Sequence, residues 1–251
     1  MAEPVRTAAY DGVAAAALAD RCSAVRVELF DLVGSTMDEA HSLAAEGAGA
    51  GTIVLADRQA SGRGRGGKRW SSPPRGVWLT LIERPADVSA LDVLSLRAGL
   101  ATARALDAFA AEPIRLKWPN DLYVDDAKLA GILVEARWRG EHLDWVAIGV
   151  GVNMDIPVDQ AGAAALESGT SRVDVVCGLL PELRAAAAMV GTLTPVEMEE
   201  YAARDLARGR MCAAPARGRV VGITPGGELL VEIADSITRV RAGSLVLEPP
   251  E

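Results

Sequence analysis

A chain of 251 residues, half of them hydrophobic, holds enough material for one large packed domain, or for one with a small appendage. Its formal net charge of -8 disfavours a nucleic-acid-binding surface, and no stretch approaches the ~20 uninterrupted apolar residues of a membrane span. The start, MAEPVRTAAYDGV, lacks the early positive charge and continuous apolar run of a secretory signal. Cys22, Cys177 and Cys212 are odd in number and show no C-x-x-C spacing, which disfavours a zinc site or a disulfide framework and suits a cytoplasmic chain. With two Phe, three Tyr and five Trp, the interior falls to Ala, Val and Leu, and the tryptophans are expected to hold assigned positions.

In chain order, Ala15 to Arg21 reads as a short helix and Val25 to Val33 as a strand that stops at Gly34. Thr36 as N-cap with Glu39 three residues on predicts a capping box, and the free amides of that helix start are a place to hold a polar ligand group. Thr52 to Asp57 and Gly76 to Glu83 read as buried strands, and Leu91 to Phe109 as a long apolar-periodic helix. Ile114 to Lys117 is a strand running into Trp118-Pro119-Asn120-Asp121, and Lys128 to Ala136 and Trp145 to Val152 are two more. Ser171 to Arg210 is helical in composition, and the texture changes at Ala213-Ala214-Pro215. Short strands follow at Arg219 to Ile223, Glu228 to Ile233, Ile237 to Arg241 and Ser244 to Leu247. The class is α+β: a mixed β-sheet with packed helices over residues 1–210, its core from about residue 25, then a small β-barrel over 211–251.

Gln59 to Trp70, QASGRGRGGKRW, hangs between two of those strands. Arg58, Arg63, Arg65, Lys68, Arg69 and Arg75 put six positive charges there, with no Asp or Glu between Asp57 and Glu83. In an acidic chain this local reversal of sign points to a small anionic partner. Gly62, Gly67 and Lys68 fit P-loop spacing, but Arg69 stands where a hydroxyl must hold magnesium. A single RGG triplet flanked by strands is not a disordered RNA-binding segment. The remaining alternative is a solvated basic turn.

Two further blocks carry chemistry. In KWPNDLYVDDAKLAGILVEA, Lys117 to Ala136, Pro119 excludes Trp118 from the α region, so Asn120 and Asp121 sit on a turn with side chains free for a ligand. Lys128 opens an apolar strand, either as a snorkelling surface residue or as a charge aimed at a bound anion. In AIGVGVN, Gly149 and Gly151 strip side chains from one face of a strand and let something flat approach, or else mark a tight packing contact. Asn153 closes that strand.

Together these blocks resemble the biotin protein ligases. GRGRGGKRW at Gly62 to Trp70, KWPND at Lys117 to Asp121, KLAGILVE at Lys128 to Glu135, GVGVN at Gly149 to Asn153 and VGST at Val33 to Thr36 are similar to that family's motifs, in the family's order. The resemblance runs from about Val25 to the C-terminus, whose module is similar to the family's SH3-like barrel. It implies ATP-dependent formation of biotinyl-5'-AMP, with Mg2+, and transfer of biotin to a lysine of a biotin carboxyl carrier domain of acetyl-CoA or a related carboxylase. The runner-up is a lipoate or octanoate protein ligase or transferase of similar fold. A non-catalytic biotin or nucleotide sensor is a third reading, from a different class.

Site roles follow from the resemblance alone. It implies biotin contacts at Ser35, Thr36, Gln59, Gly62, Arg63, Gly64, Arg65, Lys128, Gly131, Gly149 and Gly151. Nucleotide contacts are implied at Arg63, Arg65, Lys68, Trp70, Lys117, Asn120 and Asn153, and catalytic roles for Lys128, Arg65 and Asp121, with no protein metal site. Met37 stands where the family usually has Asn, and Lys68 where it usually has Arg, which loses bidentate geometry. About two dozen residues precede the first catalytic strand, too few for a winged-helix DNA-binding domain, so a monofunctional enzyme that binds neither DNA nor membrane is expected, as a monomer or a homodimer. The glycine loop is expected to order only when a ligand offsets the entropy lost, closing over the adenylate.

Overall fold

The structure is a computed structural model that describes residues 3–156 and 162–249. Its elements are β1 (Val5–Arg6), β2 (Ala9–Tyr10), β3 (Val13–Ala14), α1 (Ala15–Cys22), β4 (Arg26–Val33), α2 (Thr36–Ala45), β5 (Thr52–Gln59), β6 (Val77–Glu83) and α3 (Leu94–Leu106). Then come β7 (Arg115–Lys117), β8 (Asp121–Val124), β9 (Ala127–Arg139), β10 (His142–Val152), α4 (Arg172–Ala188) and α5 (Pro195–Arg204). The chain ends in β11 (Met211–Ala214), β12 (Gly218–Ile223), β13 (Leu229–Ile233), β14 (Ser236–Val240) and β15 (Val246–Leu247).

Eight strands form one mixed sheet in the order β1-β4-β5-β6-β10-β9-β8-β7, in which β4 and β5 are parallel and the other pairs antiparallel. Side chains alternate across it with period two. Leu29, Ile53, Leu55, Leu79, Leu81 and Ile148 join the larger core with α1, α3 and α4, whereas Phe30, Val54, Ala56 and Ile82 join a smaller one with Ala40, Leu43 and Ala44 of α2. Both faces of the central strands are covered, which is why TIVLA in β5 is a continuous apolar run. Among the described residues, the one helix in the smaller core on its second face is the ten-residue α2. The uncovered part of that face is where the site forms.

The mixed-sheet expectation and the separate C-terminal antiparallel sheet, order β14-β13-β12-β11-β15, both hold. Several local readings change. Ser35, not Thr36, caps α2: its Oγ accepts from the Met37 amide, and Thr36 is the first helical residue. The helical stretch after Ser171 is two helices, because Gly191 takes a left-handed φ of 67° and Thr194 then starts α5 with a capping box to Glu197 and Pro195 behind it. The Leu91 to Phe109 helix has 3₁₀ turns at Leu91–Val93 and Asp107–Phe109. Cys22 and Cys177 form a disulfide between α1 and α4, contrary to the expectation from cysteine count. Their sequence separation of 155 leaves no local spacing signal. Among the described residues no helix is long and apolar enough to cross a membrane.

Candidate active site

The glycine and arginine loop is a closed hairpin. The Gly64 amide donates to the Lys68 carbonyl at 2.7 Å and the Trp70 amide to the Gly62 carbonyl at 2.8 Å, and Arg65–Gly67 makes a 3₁₀ turn between them. Gly66 and Gly67 sit at φ 66° and 75°, where a side chain would be strained. Arg65 Nη1 donates to the Gly243 carbonyl at 2.6 Å and its guanidinium lies 5.9 Å from the Trp118 ring centre, while Lys68 Nζ meets Ser244 Oγ at 3.2 Å. The loop therefore finds partners in the turn that precedes the last strand of the C-terminal sheet.

Under the loop lies a cavity of about 570 Å³, with two chemically different ends. At one end, the N-terminus of α2 meets the exit of β5 and the middle of β6. Gln59 Oε1 accepts from the Thr36 amide at 2.8 Å and from Thr36 Oγ1 at 3.2 Å, Gln59 Nε2 donates to Ser72 Oγ at 2.7 Å, and Thr80 Oγ1 donates to Thr36 Oγ1 at 2.9 Å. These groups, with Ser35, are neutral hydrogen-bonding hardware locked by one another. Met37 is buried beside them, and its Cε would lie 2.8 Å from a Cβ at Gly149.

The middle of the cavity is flat and apolar. Register pairs Gly149 with Thr80 and with Leu133, and Gly151 with Trp78 and with Gly131, so these residues share the sheet face that α2 leaves open. The Trp70 indole lies on it: a Cβ at Gly151 would come within 2.7 Å of the indole nitrogen, and one at Gly131 within 2.9 Å of the ring. Bare glycine is what lets the ring approach the sheet. Trp78 meets Trp70 edge-on at 6.5 Å.

The other end is cationic. Lys128 Nζ pairs with Asp121 at 2.6 Å and lies 4.9 Å over the Trp70 ring, so this lysine faces the cavity and does not snorkel. Lys117 Nζ donates to Tyr123 Oη at 3.3 Å. Burial pushes the Lys117 ammonium below the ordinary lysine value, opposed by Asp121 and reinforced by Lys128, Lys68 and Arg210. Burial also pushes the Tyr123 phenol up to about 12. Seven basic side chains line the cavity against two carboxylates, Asp121 and Asp126, of which Asp126 pairs with Arg210 at 2.7 Å.

Not every candidate residue reaches the wall. Gly62 lies behind it, with Trp70 and Ser72 packed around its α-carbon. Asn120 does line the cavity, and its Nδ2 donates to the Ile132 carbonyl at 2.7 Å, fastening the turn after Trp118-Pro119 to β9. Asn153 is buried below Lys128, whose carbonyl it bonds at 3.3 Å, and is not part of the wall. Arg63 lies 3.1 Å from both Asp38 and Glu135. Arg210, Ser244 and Trp118 line the cavity without having been singled out from the sequence. Arg210 and Ser244 carry no local motif, whereas Trp118 lay inside KWPND and its scarcity as a tryptophan was the available signal.

Residues 29–153 match the family model described as the biotin/lipoate A/B protein ligase family. The chain is 32% identical to the bifunctional ligase/repressor BirA of Bacillus spizizenii over 235 residues, 86% of this chain and 72% of that one. It is 35% identical to the biotin--[acetyl-CoA-carboxylase] ligase of Mycobacterium tuberculosis over 217 residues, 81% of this chain and 77% of the relative. In fold it is similar to a biotin protein ligase from Aquifex aeolicus solved with biotin and ATP, at TM-score 0.72 and 23% identity, covering 89% of this chain and 99% of that one.

Proposed function

This chain belongs to the biotin/lipoate A/B protein ligase family, and we propose that its cavity makes biotinyl-5'-AMP from biotin and ATP and passes the biotin to a lysine of a carboxyl carrier domain. The observation that carries the reading is the polarity of the cavity: a neutral hydrogen-bonding end, a flat apolar middle and a cationic end. A ligand with a urea-like head, an apolar tail and a reacting carboxylate matches all three. A lipoyl or octanoyl group would bring no hydrogen-bonding head to the Ser35, Thr36, Gln59 and Thr80 groups, and would desolvate them without adding a bond to the ones they make with one another.

In the first step a biotin carboxylate oxygen attacks the α-phosphorus of ATP, and the bond to pyrophosphate breaks. Bringing the two anions to about 4 Å costs roughly 4 kcal/mol at an effective dielectric of 20. Lys128, Lys117 and the loop cations Arg65 and Lys68 stand where they offset it, and Arg63 serves at the loop's base. Among the described residues no group of three or more acidic, His or Cys side chains could hold a metal, and Asp121 and Asp126 are each paired with a cation. This donor set fits a magnesium ion brought in with the nucleotide, which would supply charge neutralisation of the departing pyrophosphate.

In the second step the carrier's lysine amine attacks the acyl carbon and AMP leaves. Asp121, freed from Lys128 as that lysine turns to the phosphate, accepts the proton or orients the amine. Asn120 and Asn153 act on the nucleotide side through β9: one fixes the turn that carries Asp121, the other the backbone of Lys128. Gly62 and Gly64 shape the loop over the head, while Trp70, seated on Gly131 and Gly151, flanks the tail, and Gly149 leaves room beside Met37. We assign residues 1–210 to the catalytic unit, and 211–251 to a small β unit whose turn at Gly243-Ser244 holds the loop. The reaction is placed in the cytoplasm, where the Cys22–Cys177 pair would meet a reducing environment. The test supplies labelled biotin, magnesium ATP and a carrier domain, with lipoate and octanoate as competitors. Label on the carrier's lysine that neither competitor removes is the expected result.

A further inference from the structure

Behind the loop, away from the cavity, a chain of hydrogen bonds runs from the second core to Arg63. Trp145 Nε1–H donates to His41 Nδ1 at 2.9 Å, which leaves the His41 proton on Nε2, and that nitrogen meets Glu135 Oε2 at 2.9 Å. The same carboxylate oxygen accepts from Arg63 Nη2 at 3.1 Å, with Arg137 at 3.5 Å on its outer side. Asp38, one turn before His41 on α2, takes Arg63 from the other side at 3.1 Å. Trp145 is itself pinned, with the Arg84 guanidinium 5.5 Å from its ring and Arg84 held by Asp144 and by the Ala44 and Ala48 carbonyls.

We infer that His41 is a positioning residue for the glycine loop: through Glu135 it fixes Arg63 and so anchors the loop's near limb, while Gly243 and Ser244 hold the far limb through Arg65 and Lys68. Neither His41 nor Glu135 lines the cavity, so their action on ligand passes through Arg63. Burial holds the His41 imidazole below its ordinary value, with Arg137 and Arg63 pushing the same way and Glu135 opposing, so the ring is neutral at pH 7 and keeps the tautomer that Trp145 demands. A neutral donor orients Glu135 without cancelling its charge, which stays available to Arg63.

This inference rests on the reading of the loop as the lid of a biotinylating site, so its test has one arm that does not depend on activity. His41→Phe keeps an aromatic ring against Trp145 and removes both ring nitrogens, and His41→Gln restores a donor to Glu135 and an acceptor for Trp145. Trypsin is added to the full chain without substrates, and cleavage at Arg63, Arg65, Lys68 or Arg69 is followed on a reducing gel, since the Cys22–Cys177 disulfide would otherwise hold the fragments together. Expected is loop cleavage several times faster in His41→Phe and near wild type in His41→Gln. With activity, KM for biotin should rise about tenfold in His41→Phe, the loss of one hydrogen bond to a charged group. At saturating biotin kcat should stay within about twofold, the signature of lost binding and intact chemistry. Should His41→Phe unfold, Glu135→Gln, which keeps the shape and removes the charge on Arg63, must give the same loop cleavage. Wild-type cleavage in a folded His41→Phe or Glu135→Gln protein, or equal loss in His41→Phe and His41→Gln, overturns the inference.

Discussion

Trp70 and Gly151 are made for each other: the indole nitrogen lies where only 2.7 Å would separate it from a Cβ on that residue, so the ring's seat exists because the strand carries glycine there. Gly151→Ala is expected to lift the indole from the sheet. The overpacking costs about 1–3 kcal/mol if the ring stays, and if it moves, the lid over the apolar middle of the cavity goes with it. KM for biotin should rise at least tenfold, by about 1.4 kcal/mol, and the tryptophan fluorescence change on adding biotin, absent in a Trp70→Phe control, should shrink. A Gly151→Ala protein with wild-type KM and fluorescence response would show that the indole has no such role.

Lys128 pairs with Asp121 and faces the cavity, so its charge serves the reaction and not the core. Lys128→Ala should fold normally and lose adenylate formation by about 10²- to 10³-fold, the usual cost of removing one preorganised donor from a developing charge. Supplied with preformed biotinyl-5'-AMP, the variant should transfer biotin at a much smaller deficit. Pyrophosphate release measured separately from carrier labelling distinguishes the two steps, and wild-type pyrophosphate release would remove Lys128 from the first.

Arg65 bridges the loop to the Gly243 carbonyl and the Trp118 ring. Arg65→Gly removes that bridge and a charge-assisted contact worth about 1.5–3 kcal/mol, and loosens the loop's backbone as well. Adenylation should survive in part, because Lys68, Lys117 and Lys128 remain. The adenylate should escape and label lysines on bystander proteins. Mixed with biotin, ATP and an unrelated lysine-rich protein, a variant that still makes adenylate but labels bystanders no faster than wild type would contradict a retaining role for Arg65.

Lys117 is the group through which pH should act on nucleotide binding. Burial, helped by Lys128, Lys68 and Arg210, depresses its value in the free protein, and bound phosphates favour the charged form, so ATP binding raises it again. Between those two values, binding takes up a proton, and affinity falls as pH rises through the free-state value. The same depression means that the unfolded chain binds more protons than the folded one in the window below the ordinary lysine value of about 10.5, so this group's penalty on folding eases as pH rises there. Calorimetry of ATP binding in buffers of different ionisation enthalpy should reveal the proton uptake. It should vanish in Lys117→Met, and its persistence there would assign it elsewhere.

Much of the frame was legible locally. Buried strands such as TIVLA and the alternation of VRVELFDLV express themselves over five to nine residues, because strand periodicity and apolar runs are properties of neighbours in the chain. The ordered blocks VGST, GRGRGGKRW, KWPND, KLAGILVE and GVGVN announced the chemistry for the same reason: each packs its glycine, cation or turn residue within one short segment. The TPVE start of α5 was equally readable, and its capping box shows that the long helical stretch had to be divided there. Tertiary structure alone decided what those residues do to one another. Glu135 reaches Arg63 across 72 residues and Gly243 reaches Arg65 across 178, through sheet register and the seating of the C-terminal strands, which no local pattern encodes. It also closed the loop into a hairpin and joined Cys22 to Cys177. Conformational preference is set by a residue's neighbours in sequence, whereas the partner of a charge or a thiol is set by where the folded chain brings distant segments together.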